Sequence, residues 1–170
     1  LRELMTLLPA LQLRWQAYAR ANAITGRDLV EQLEAAHCSF IFVGFESMSD
    51  EALKRMRKRV TVAHNRNAAA AFAGSSIDLH ASFMVGYLGE TPEDFAKTRA
   101  FLLDEFEGHF NLHYFMMQDE TMPMWEDGPL YDLELENGWT WKHSGMDSKT
   151  AWTLRGETLR DVSACATGEL

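Results

Sequence analysis

The chain has 170 residues, of which 46% are hydrophobic and 24% charged, with a formal net charge of -9. That length supports one ordinary domain with a sizeable core. No apolar run approaches the ~20 residues of a membrane span, and the acidic balance argues against general nucleic-acid binding because polyphosphate would be repelled. The two cysteines, Cys38 and Cys165, lie far apart and have no neighbour at metal-ligand spacing. They read as ordinary thiols of a cytoplasmic protein and cannot alone build a zinc or cluster site.

In chain order, residues 1–8 have the pattern of a helix stopped by Pro9, and Leu11, Leu13, Trp15 and Ala17 then alternate with polar residues as in a strand that ends near Arg20. Thr25 to Asp28 has the form of a capping box opening a helix whose buried face is Leu29, Val30, Leu33 and Ala36. A strand from Ser39 to Glu46 comes next, and Ser49 is placed to cap a helix carrying the basic run Lys54 to Arg59. In that helix Lys54 and Lys58 share a face, while Asp50 and Glu51 are spaced to pair with Lys54 and Arg55. Thr61 caps an alanine-rich helix ended by Gly74, and Ile77 to Val85 is the next strand. Thr91-Pro92-Glu93-Asp94 is the strongest helix start, with Phe95, Thr98, Leu102 and Phe106 on one face, and Phe110 to Met117 is a strand. Strand and helix alternate, which predicts an α/β fold with a parallel sheet. Beyond Met117 the pattern is irregular until a last helix from Asp147, whose expected buried side is Trp152, Leu159 and Val162.

The strand ending Val43-Gly44-Phe45-Glu46-Ser47 carries the first site candidates. A buried parallel strand delivers polar groups at its carboxyl end, where α/β folds keep their sites. Gly44 leaves a ligand room to approach the backbone, and Glu46 can accept hydrogen bonds from hydroxyls or an amine. Arg20 stands at the end of the preceding strand. Each has an ordinary structural role beside this one: Glu46 can cap a helix or pair with a lysine, and the basic run can be a solvated face. His109 and His113 are spaced for a metal on a helix, but they fall in a strand, which turns them apart.

Val43-Gly-Phe-Glu-Ser47, with Leu53, Met56, Lys58 and Thr61 behind it and Gly86-Tyr-Leu-Gly-Glu-Thr91 ahead of Glu93 and Asp94, resembles radical S-adenosylmethionine (radical SAM) enzymes. The narrower resemblance is to the class with a cobalamin-binding domain, and Trp141-Lys-His143 with Gly145-Met-Asp147 is similar to the segment beyond the barrel in some of its members. This resemblance implies the C-terminal part of a partial (βα)6 TIM-like barrel over residues 1–118, with an extension over residues 119–170. It implies an iron-sulfur enzyme of the oxidoreductase or methyltransferase type, in which S-adenosylmethionine over a 4Fe-4S cluster yields an adenosyl radical. Cobalamin is a further possible cofactor. Glu46 would contact the cofactor's ribose or methionyl part, Lys58 its carboxylate and Ser82 its ribose. The loop from Gly86 would lie by the adenine.

The family's Cys-x3-Cys-x2-Cys cluster motif and its glycine-rich second-strand motif are absent from this sequence, and Leu88 stands where proline is usual. The expectation is therefore a fragment that is inactive alone, binds neither nucleic acid nor membrane, and can pair with itself through an exposed sheet edge. The alternative is a noncatalytic βα domain that binds a nucleotide-like ligand or a protein partner.

Overall fold

A computed structural model describes residues 2–117 and 119–167. Four parallel strands form one sheet in the order β1-β2-β3-β4. They are β1 (Trp15–Arg20), β2 (Cys38–Glu46), β3 (Asp78–Val85) and β4 (His109–Tyr114). After α1 (Arg2–Leu7), the connections between successive strands carry α2 (Arg27–Ala35), then α3 (Asp50–Arg55) with α4 (Val62–Phe72), then α5 (Pro92–Asp104). Such crossovers are what a parallel pairing requires, and the α/β reading of the sequence holds. An antiparallel hairpin of β5 (Glu134–Asn137) and β6 (Thr140–Lys142) and the long α6 (Ser148–Thr167) complete the chain.

The chain resolves into two compact units. The first comprises Leu1–Phe45, Val60–Ser82 and Phe106–Asn111. Its core is built from Val30, Leu33, Ile41, Val43, Phe45, Leu79 and Ala81, all buried. Thr61 and His64 form a reciprocal capping box that starts α4, and Asn65 of that helix donates to the Phe45 carbonyl at 3.0 Å. Along one side of this unit the rings of Tyr18, Phe42, His80 and His109 form a row, with neighbouring centroids 5.3, 5.4 and 6.4 Å apart.

The second unit comprises Glu46–Arg59, Phe83–Glu105 and Leu112–Leu170. Phe83, Val85, Phe95, Phe101, Phe115, Met117 and Trp141 are its buried centre. Thr91 caps α5 by accepting the Asp94 N–H at 3.2 Å, with Pro92 at the first helical position, as the sequence predicts.

Several local expectations are corrected. Leu11 and Leu13 are exposed because a 3₁₀ turn over Leu8–Leu11, closed by left-handed Gln12, delays the strand to Trp15. Pro9 lies within that turn. Helix α2 starts one residue later than expected: Gly26 occupies the N-cap, so the Thr25 hydroxyl caps nothing. Ser49 is the N-cap of α3, yet its hydroxyl turns to Asp94 at 2.7 Å instead of to its own helix. Arg55 pairs with Asp94 at 2.9 Å rather than with the first-turn acids. Helix α3 ends at Arg55, and left-handed Arg57 reverses the chain, so Lys58 shares no helical face with Lys54. Helix α5 ends at Asp104, which leaves Phe106 to pack edge-on against Phe45. Trp152 is 59% exposed, and the buried side of α6 is Ala151 and Thr158. Trp152 instead meets Tyr114 edge-on and carries the Arg155 guanidinium over its ring.

Candidate functional site at the strand ends

Strand β2 is apolar and alternately buried until Glu46, its last residue, where φ turns to +63°. A non-glycine residue in this region is uncommon and costs about 1 kcal/mol. The surroundings over-determine it. Lys58 Nζ donates to Glu46 Oε1 at 2.6 Å, and the residues just beyond Glu46 are stapled to α5. The Met48 N–H donates to Thr98 Oγ1 at 2.8 Å, and Ser49 Oγ donates to Asp94. Burial opposes the charge on Asp94, but hydrogen bonds from Arg55, Ser49 and Lys97 outweigh it and hold its carboxyl below the usual range. The Glu46 side chain is nearly buried. Its Oε2 has no partner among the described residues, so one carboxylate oxygen remains to accept a ligand's hydroxyl or amine.

In the first unit, the parallel register sets Arg20 opposite Gly44, at the carboxyl ends of β1 and β2. Ser82 is buried in β3. Of the six residues singled out in the sequence, the structure thus joins Glu46 to Lys58 and Arg20 to Gly44.

Gly86, at the end of β3, has a different environment from a ligand-facing glycine. Its φ is +91°, and a Cβ there would lie 2.6 Å from the Trp141 ring. Its N–H donates to Glu90 Oε2 at 2.6 Å, and its carbonyl accepts from His143 Nε2 at 3.1 Å. Both backbone groups are therefore engaged by side chains of the same unit. Glu90 is fully buried, which drives its pKa up to about 8, and its Oε1 has no partner. Burial also lowers the pKa of His143. Leu88, at the position where proline is usual, is fully buried.

Glu90, Trp141 and His143 were not legible as one cluster. A glutamate just before a helix cap reads as solvated, and the tryptophan and histidine lie more than fifty residues away in a segment without clear periodicity.

A cluster site does not fit the described residues. Cys38 is buried at the start of β2, at the opposite end of that strand from Glu46, and Cys165 is exposed on α6. Among the described residues no group of three or more His, Cys, Asp or Glu could hold a metal ion, and no helix is long and apolar enough to cross a membrane.

The signature of the Radical SAM superfamily matches residues 11–102. A 67-residue stretch is 37% identical to the ribosomal protein uS12 methylthiotransferase RimO of Geotalea uraniireducens (strain Rf4), covering 38% of this chain and 15% of that protein. Among solved structures, the cobalamin-dependent S-adenosylmethionine radical enzyme OxsB aligns with a TM-score of 0.52 at 22% identity, over 77% of this chain and 20% of that one. The radical S-adenosylmethionine methyltransferase TsrM from Kitasatospora setae, solved with cobalamin and a [4Fe-4S] cluster bound, aligns at 0.52 and 22% identity, over 65% of this chain and 22% of that one. At such identities the likeness is one of fold, and this chain spans a fifth or so of the lengths it matches.

Proposed function

Because the chain belongs to the radical SAM superfamily, we propose that it supplies the C-terminal part of a partial (βα)6 barrel in a longer enzyme, and that its strand ends bind S-adenosylmethionine. Glu46 carries this reading. It is a carboxylate held in a strained conformation at the end of β2, anchored through one oxygen by Lys58 and open at the other. Strain of this kind collects at ligand sites. Glu46 accepts from the cofactor's hydroxyls or amine, and Lys58 meets its carboxylate and also orients Glu46.

The radical chemistry is supplied by S-adenosylmethionine on a 4Fe-4S cluster, whose cysteine ligands lie in a part of the enzyme outside this sequence. The likeness in fold to cobalamin-dependent enzymes supports cobalamin as a second cofactor and methyl transfer as the outcome. The isolated chain is then inactive, and its setting is the cytoplasm.

The test has two arms. The parent gene should encode Cys-x3-Cys-x2-Cys ~100 or more residues upstream, the length of about three further βα units. In the parent enzyme, Glu46→Gln and Lys58→Met should each weaken S-adenosylmethionine binding in equilibrium dialysis by roughly tenfold, the loss of about one charge-assisted hydrogen bond. A parent without the motif would favour a noncatalytic ligand- or partner-binding domain. An isolated chain that assembled a stable cluster and cleaved S-adenosylmethionine would exclude the fragment reading.

A further inference from the structure

We propose that His143 is a positioning residue for the strand-end loop 86–90, and that addition of a proton to its Nδ1 releases that loop. The proposal rests on the reading that this loop borders the cofactor, and it adds a control over it.

The hydrogen bonds assign the tautomer. Nδ1 accepts two backbone N–H groups, from Gly145 at 3.0 Å and Met146 at 3.2 Å, so it carries no proton. Nε2 is therefore the protonated nitrogen and donates to the Gly86 carbonyl. One neutral imidazole thus ties the turn before α6 to the end of β3. It stacks on Trp141 with centroids 5.0 Å apart and planes 5° from parallel. Trp141 is fixed in turn by its Nε1 donating to the Phe115 carbonyl at 2.9 Å, and its ring covers the bare face of Gly86.

The imidazolium is incompatible with this arrangement. A proton on Nδ1 would point at two N–H donors, so both bonds to the 145–146 turn would be lost, and the ring would have to rotate away from Gly86. The charged groups acting on this cluster do not rescue it. Arg55, from α3, opposes a second positive charge, and Asp94, from α5, acts on Glu90 and is already bound by Arg55, Ser49 and Lys97. Glu90, on the loop itself, is neutral at and below neutral pH and offers no countercharge. Release on the acidic side is therefore the work of His143, against Glu90, whose raised pKa favours the closed loop there.

Amide hydrogen exchange of the 170-residue chain tests this without any cofactor, so the result stands apart from whether the parent binds S-adenosylmethionine. In Glu90→Gln, which keeps the acceptor for the Gly86 N–H and cannot ionise, protection of peptides spanning 83–91, corrected for intrinsic rates, should fall as pH is lowered from about 7.5 to about 5, by up to about tenfold per pH unit between the ordinary histidine pKa of 6.5 and the lower folded one. Peptides of α2 should hold their protection. With His143→Gln added to Glu90→Gln, the amide can donate to Gly86 and accept from the 145–146 turn at every pH, so protection should persist and lose its pH dependence. The parent chain should show a smaller fall than Glu90→Gln, because ionisation of Glu90 in the opened loop acts in the opposite direction over the same range. Flat protection in Glu90→Gln, or a Glu90→Gln, His143→Gln double variant that titrates as Glu90→Gln does, would overturn the proposal. Should His143→Gln fail to fold, a Nδ1 ¹⁵N shift in the parent chain that showed a protonated Nδ1 at neutral pH would overturn it equally.

Discussion

Lys58 Nζ sits 2.6 Å from Glu46 Oε1 within a segment where Glu46, Arg57 and Arg59 all have positive φ, at +63°, +52° and +56°. The ion pair is partly exposed at the lysine, so its own contribution to stability is small, about 1 kcal/mol at most. The backbone strain at Glu46 is of the same size. Glu46→Ala keeps the strain and loses the pair, whereas Glu46→Gly loses the pair and relieves the strain. Urea melts should therefore rank Glu46→Gly about 1 kcal/mol above Glu46→Ala, although both remove the carboxylate from the site. Equal stabilities would mean that no strain is stored there.

Glu90 gives a pH dependence of definite sign. Burial first, with Asp94 adding to it, raises the folded pKa to about 8 from an ordinary 4.5. A group raised in this way stabilises the fold fully below its unfolded pKa, and the contribution is lost as pH rises through the folded value. Thermal stability should decline toward pH 8 and level off above it. Glu90→Gln keeps the acceptor for the Gly86 N–H and cannot ionise, so its melting temperature should stay flat over the range in which the parent chain declines. A parallel decline in the variant would place the titration elsewhere.

The βα alternation was legible because buried strands and helix caps leave local marks, as at Thr61 and at Thr91-Pro92. So was Glu46, since a carboxylate straight after an apolar run must face something polar. What local pattern could not show was competition between segments. Ser49 has the position of a cap, but Asp94, 45 residues on, takes its hydroxyl. Asp94 likewise draws Arg55 from the first-turn acids. Trp152 has the spacing of a core residue, yet Ala151 is the buried neighbour, because Trp141 of the hairpin already fills the space beside Gly86. Long-range contacts with no periodicity of their own decided each case.

Gly86 and Trp141 should be energetically coupled. Any side chain at Gly86 meets the Trp141 ring and takes an unfavourable φ, so Gly86→Ala should cost roughly 2–4 kcal/mol from overpacking and strain together. Trp141→Leu leaves a cavity and costs about 3 kcal/mol alone. In the double variant the smaller leucine accommodates the new methyl group. The summed losses should therefore exceed the double-variant loss by about 1 kcal/mol or more, read from a denaturation cycle. Simple additivity would mean that the ring moves aside freely.

The two edges of the sheet differ, and self-association should track the difference. At the β4 edge, Arg155 of α6 donates its Nε–H to the Leu112 carbonyl at 2.7 Å, occupying a position that another strand would need. At the β1 edge, Tyr18 is 86% exposed, and residues 15–20 show no strand partner besides β2 among the described residues. An open edge with an exposed aromatic invites pairing, and a lysine there discourages it. Light scattering of the isolated chain should show association that grows with concentration, and Tyr18→Lys should suppress it with little change in melting temperature. Arg155→Met removes the donor at the other edge while keeping an apolar stem over Trp152, so it should increase association even with Tyr18→Lys present. A chain that stays monomeric at every concentration would show that unpaired β1 groups are satisfied by water alone.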